Sequence, residues 1–182
     1  MFSFLFCLHS TANNLATPTL STHQEKVSVW DNVLTEPARN ALHGVAKASG
    51  LGHHVFQRSI GASNLIEQTL DAILTEIGDP TRQFVEYWSR QEWRHIEAHA
   101  DVDETLAKEQ DRANGGLATE AFRYPDKGHV LYLKIGTDVR GPTCVFTNQT
   151  TGGELSRGDV ELVTVPAVGG RLLRFEGNFL HA

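Results

Sequence analysis

From residue 129 onward the chain breaks into short apolar runs, HVLYLKIG, TCVFTN, VELVTVPAV, RLLRF and NFLHA, separated by TDVRGP, QTTGGELSRGD, GG and EG. Runs this short, rich in Val, Leu and Phe and bounded by Gly, Asp and Pro, cross a core as strands rather than helices. Strands at such spacing close into an antiparallel sandwich or barrel. Upstream the pattern changes. SNLIEQTLDAILTEIG carries apolar residues at 65, 66, 69, 70, 73, 74 and 77. That period of about 3.6 predicts an amphipathic helix starting at Ser63 and stopped by Gly78 and Pro80. A second helix is expected over 36–48, capped by Asp31, with Pro37 in its first turn and Gly50 beyond it. GLGHHVFQRSIGAS between them reads as a glycine-punctuated connector, and QFVEYWSR as an extended segment. The expected class is α+β, with helices over about 31–80 packed outside a β-core over about 84–182.

A chain of 182 residues suffices for one domain with its own core. Its 22 acidic and 16 basic side chains give a net charge of -6, and no basic cluster appears, which argues against nucleic acid or an anionic membrane as partner. Cys7 and Cys144 are the only cysteines, so neither a disulfide framework nor a Cys-based zinc site is expected. Cys144, in GPTCVF, reads as a buried strand residue. Residues 1–24 have a short apolar run followed by Ser, Thr and Asn, with no acidic residue before Glu25. They read as a disordered tail or as a secretory or organelle-targeting leader lacking the usual Lys and Arg, and are set apart from the domain at 25–182. The run is too short to span a bilayer, so a soluble chain is expected, in a compartment the sequence leaves open.

The chemistry concentrates in two places. In EAHADVDE, His99 and Asp101 stand two apart, and in a strand residues i and i+2 face the same side. An imidazole nitrogen and a carboxylate oxygen on one side can take adjacent positions on a divalent cation. FEGNFLHA supplies His181 on the last predicted strand, completing the two-His, one-carboxylate set that binds non-haem iron while leaving positions open for substrates. His95 and Glu97 form a rival pair of the same parity, and His95 and His99 lie i, i+4 as in zinc-protease helices. That motif places Glu directly after the first His, where this chain has Ile96. His99 and Asp101 are therefore preferred, with His95 and Glu97 as neighbours and Asp103 as a loop carboxylate. His53 and His54, adjacent in sequence, would point to opposite faces of a strand. His129 reads as a structural histidine, and Arg140, Arg171 and Arg174 as solvated charges.

Residues 84–182 resemble the Fe(II)- and 2-oxoglutarate-dependent dioxygenases, particularly the prolyl-4-hydroxylase-like branch. The resemblance rests on EAHAD, on GHVLYL, and on VPAVGGRLLRFEGNFLHA, where Pro166, Gly170, Phe175, His181 and Ala182 match the family pattern in order. It implies a double-stranded β-helix (jelly-roll) core with Fe(II) held by His99, Asp101 and His181. It further implies 2-oxoglutarate and O2 as cosubstrates, ascorbate as a possible further cofactor, and hydroxylation of a protein or peptide side chain. The family commonly anchors the far carboxylate of 2-oxoglutarate with an Arg or Lys on the strand after the distal His. This chain ends at Ala182, so the expectation is a C-terminally truncated domain with its last strand missing and the edge beside NFLHA bare. Tyr132 is then the residue the resemblance assigns to that carboxylate, and Lys134, two residues on and on the same face of a strand, is expected to supply charge beside it. A cupin-like metal protein without 2-oxoglutarate and an inactive β-barrel interaction module are the competing readings.

Overall fold

The computed structural model describes residues 16–23, 26–49, 52–79, 84–89, 97–102, 112, 123–139, 141–150 and 160–182. The elements follow in the order β1 (Thr19–His23), β2 (Val27–Asp31), α1 (Glu36–Ser49), β3 (His54–Gln57), α2 (Leu65–Glu76), β4 (Phe84–Tyr87), β5 (Lys127–Leu131), β6 (Thr143–Thr150), β7 (Leu162–Val165), β8 (Leu172–Glu176) and β9 (Phe179–His181). The expected α+β class holds, and the strands pair antiparallel. They form a four-stranded sheet β1-β2-β8-β5, a three-stranded sheet β7-β6-β9 and a separate pair β3-β4.

Alternation along the strands sorts the apolar side chains into two cores. Val27 and Val29 of β2, with Leu173 and Phe175 of β8, meet Val145 of β6, Val165 of β7 and Phe179 of β9. The two larger sheets therefore pack face to face. Trp30 of β2 and Leu172 of β8 point the other way, onto Leu42 of α1 and Ile73 of α2. Helices, four-stranded sheet and three-stranded sheet thus stack in that order. Each side chain fully buried in these cores contributes about 1.5–3 kcal/mol of transfer free energy.

The N-terminal strands revise the sequence reading. β2 lies inside the larger sheet, with Val27 opposite Phe175 and Trp30 opposite Leu172 on β8. Val27, Ser28, Val29 and Trp30 are all buried because both faces of the sheet are covered. The polar Ser28, between Val27 and Val29, is therefore buried rather than turned to solvent. β1 falls within the residues expected to be a tail. Asp31 caps no helix: its carboxylate accepts from Nε and Nη2 of Arg171 at 2.7 and 3.0 Å. Thr35 stands at the start of α1 instead, its Oγ1 accepting the Ala38 N–H at 3.4 Å. The expected connector between the helices contains β3, which pairs with β4 through His54 opposite Tyr87 and Gln57 opposite Phe84.

α2 forms where the apolar period places it. Asn64 caps it by accepting the Glu67 N–H at 3.0 Å, while the Glu67 carboxylate accepts from the N–H and hydroxyl of Ser63, each at 2.6 Å. This reciprocal arrangement satisfies donors that the first turn leaves open. Gly78, at φ 76, ends the helix in the left-handed conformation that glycine adopts without strain. Among the described residues no helix is long and apolar enough to cross a membrane. Residues 1–15, His95, Asp103, Arg140 and the loop at 103–111 lie outside the described residues.

Candidate metal centre

β8 and β9 are consecutive yet belong to different sheets, and Gly177 and Asn178 carry the chain between the layers. A Cβ at Gly177 would lie 1.9 Å from the Pro125 carbonyl oxygen, so the backbones approach as only glycine permits. The Gly177 N–H donates to the Asp126 carbonyl at 3.2 Å. β9 then enters beside β6, with His181 opposite Val145, and Ala182 and Cys144 exchange backbone hydrogen bonds at 2.9 and 2.8 Å. At its other edge His181 exchanges hydrogen bonds with His99, N–H to carbonyl, at 2.7 and 2.9 Å. The edge expected to be bare is thus filled at the candidate ligand itself, and the backbone there is tied on both sides.

His99 pairs as an isolated bridge rather than within the strand that the parity of His99 and Asp101 assumed. The three candidate ligands nevertheless converge, with one donor atom from each of His99, Asp101 and His181 lying within 4.8 Å of the others. Asp101 faces both rings, Oδ1 3.9 Å from His99 Nε2 and Oδ2 3.8 Å from His181 Nε2. The rings themselves are 4.4 Å apart, centre to centre.

Both histidines are held by the same local device. His99 Nδ1 lies 2.9 Å from the Glu97 carbonyl, and His181 Nδ1 3.3 Å from the Phe179 carbonyl, in each case two residues back. A carbonyl only accepts, so these contacts place an N–H at each Nδ1 and leave Nε2, which faces the carboxylate, as the ring atom that can ligate a metal. His181 is buried and packs on the Phe175 ring, 4.8 Å between centres. His99 and Asp101 are partly exposed. The site therefore has one wall in the core and one side toward solvent.

Two imidazole nitrogens and a carboxylate suit a divalent first-row metal. Adjacent donors on bonds of about 2.1 Å stand roughly 3.0–3.4 Å apart. The separations of 3.8 and 3.9 Å therefore close onto an ion with shifts of under about 1 Å. His99, Asp101 and His181 can hold a metal ion.

The other candidates are placed as follows. Glu97 is exposed and serves through its backbone carbonyl. Tyr132, just past the end of β5, is buried in the core between the sheets, its hydroxyl 2.5 Å from Thr143 Oγ1. Burial pushes its phenol above the ordinary range. Thr143 and Val145 share a face of β6, which sets the Tyr132 hydroxyl about 7 Å along the strand from the level of His181. Lys134 is exposed, and because β5 ends at Leu131 the strand parity that would have set it beside Tyr132 does not extend that far. Arg171, expected as a solvated charge, is committed to Asp31 and to the Pro166 carbonyl. Arg174 lies over Trp30, 4.9 Å from the ring centre, and His129 lies 3.9 Å from Asp79. His53 pairs with Glu86 at 3.1 Å and stacks on Trp88, while His54 stacks on Tyr87. Cys144 is a free, partly buried cysteine on β6. Sequence reasoning missed Gly128 and Gly177, whose role is to admit a neighbour where a Cβ would stand. Only the EG between RLLRF and NFLHA hints at one of them, since EGN between two apolar runs marks a tight turn.

Fold and site together define an antiparallel α+β protein carrying a His–Asp–His group able to hold a metal ion. Comparison with protein-family models, curated proteins and solved structures returns no match to the chain.

Proposed function

We propose that the chain is the catalytic domain of a non-haem Fe(II)- and 2-oxoglutarate-dependent dioxygenase, with a jelly-roll core, hydroxylating a protein or peptide side chain. The observation that carries this reading is the convergence of His99, Asp101 and His181 at the edge of β9. Three protein donors from one side leave the remaining positions of a six-coordinate ion for substrates. When bound, Fe(II) and 2-oxoglutarate supply the oxidation of a C–H bond by O2, with succinate and CO2 as coproducts.

The chain's own residues do the positioning. His99 and His181 offer Nε2 because their Nδ1 protons are held by carbonyls. Asp101 contributes a single negative charge, so a dication keeps net positive charge to attract an anionic cosubstrate. Phe175 shields His181 from water on the core side. The Tyr132 hydroxyl is assigned to the far carboxylate of 2-oxoglutarate, exchanging its bond to Thr143 for one to the ligand.

The test is anaerobic addition of Fe(II) and 2-oxoglutarate to the purified chain, followed by exposure to O2 in the presence and absence of ascorbate. A weak visible charge-transfer band and succinate formation are expected, both abolished in His99→Ala. Iron stoichiometry unchanged in that variant overturns the ligand assignment.

A second reading, a cupin-like metal protein that does not use 2-oxoglutarate, is favoured by one observation. Lys134 is exposed and Arg171 is neutralised by Asp31, so neither brings a free cation to Tyr132. Metal binding with no charge-transfer band on adding 2-oxoglutarate selects it. Neither metal binding nor succinate from a folded chain selects an interaction module instead.

A further inference from the structure

Gly128 and Phe175 face each other in register on β5 and β8. The Phe175 ring folds back across β5 into the space that a side chain at 128 would fill. A Cβ built on Gly128 would stand 2.5 Å from Phe175 Cε2 and 2.7 Å from Cζ, well inside contact distance. The same ring is only 2% exposed and lies against the His181 imidazole, 4.8 Å away at an interplanar angle of 49°. One aromatic ring thus spans the gap between a glycine of the larger sheet and a candidate metal ligand of the smaller one.

We infer that Gly128 is a positioning residue for the metal centre, acting through Phe175 on His181. This inference rests on the reading of His99, Asp101 and His181 as metal ligands. Interiors are close-packed, so a ring displaced on one side must move on the other. Restoring ordinary contact to a Cβ at 128 requires the ring to shift by about 1 Å. The backbone of β9 is pinned by His99 on one edge and Cys144 beyond it on the other, so the shift falls on the imidazole. Its Nδ1 contact with the Phe179 carbonyl is 3.3 Å, longer than the 2.9 Å contact that holds His99. A ligand set is effective only when held within about 0.5 Å of its working geometry. The glycine therefore does more than fill a turn or bulge, since β5 is regularly paired through this position.

The experiment is titration of the full chain with Co(II) alone, reading both affinity and the visible ligand-field bands. Gly128→Ala should bind Co(II) about 10-fold more weakly, with shifted bands, a loss of the size typical when support for a metal ligand is removed. Phe175→Leu, which removes the spanning ring, should also bind more weakly. Adding Gly128→Ala to the Phe175→Leu chain should then cost nothing further, because the smaller side chain leaves room for the new methyl. A folded Gly128→Ala chain with wild-type affinity and bands overturns the inference. If Gly128→Ala alone does not fold, an additional loss of affinity in the double variant over Phe175→Leu overturns it. If wild type itself binds no Co(II), the metal reading fails and the inference falls with it. Thermal unfolding of each apo variant separates general destabilisation from a change confined to the metal site.

Discussion

His99 and His181, 82 positions apart in the chain, exchange both backbone hydrogen bonds at 2.9 and 2.7 Å, and their rings stand 4.4 Å apart. The pairing makes the candidate metal centre a junction in the fold as well as a chemical site. A ligand that bridges His99, Asp101 and His181 clamps the 97–102 segment to β9 and so stabilises the folded chain.

A divalent metal at 100 times its dissociation constant should stabilise the chain by about 2.7 kcal/mol, measured as a rise in thermal midpoint. His99→Ala and Asp101→Ala should each abolish that rise while leaving a folded apo protein, since both residues are partly exposed. Equal midpoint shifts in wild type and both variants would place the metal elsewhere.

Asp31 and Arg171 give a pH prediction. The Arg171 guanidinium, through its hydrogen bonds, holds the Asp31 carboxyl below its ordinary range, and Asp31 in turn raises Arg171. The unfolded chain therefore binds its proton more readily than the folded one. The contribution is complete above about pH 4 and is lost as pH falls through the lower, folded value. Asp31→Asn should cost about 1–2 kcal/mol at pH 7 after allowing for partial exposure. Denaturant titrations of the two proteins should converge in strong acid; a gap unchanged there would show that the ion pair is not its source.

Gly177→Ala should destabilise by at least about 2 kcal/mol, because its methyl would meet the Pro125 carbonyl at 1.9 Å. The step between the two sheets would have to open, and His181 lies four residues on. Urea unfolding together with Co(II) affinity checks both halves. Stability within 0.5 kcal/mol (on the order of a neutral surface change) would contradict the contact.

Tyr132→Phe and Lys134→Ala divide the proposed cosubstrate site. Tyr132→Phe should raise the KM for 2-oxoglutarate about 10-fold through loss of one hydrogen bond to a charged group. Lys134→Ala should leave it nearly unchanged because Lys134 is exposed. Succinate release against 2-oxoglutarate concentration reads both. A large effect at Lys134 with none at Tyr132 would reverse the assignment.

Several features were legible because they are local. The seven apolar positions between 65 and 77 located α2, and Gly78 its end. Short apolar runs located β5 through β9, since turn residues interrupt them. The two-residue spacing of His99 and Asp101 marked a ligand pair even though the strand it assumed is a single bridge. β2 was not legible, because VSVWD is only five residues long and lies next to the segment set apart as a tail, and Asp31 imitates a helix cap. Nor was the fate of Arg171, whose partner lies 140 residues away.

By itself, then, the sequence determined the period of α2, the late strands and the turns between them, and the identity of the three candidate ligands. The elements and the His99–Asp101 pair follow from side-chain chemistry and spacing within a few residues, and His181 from its place on the last apolar run. Tertiary structure decided that β2 joins the larger sheet, that Arg171 is consumed by Asp31, and that His181 is held between His99, β6 and Phe175. These outcomes depend on close packing and hydrogen bonding between segments distant in the chain, and no local pattern encodes which distant surfaces will meet.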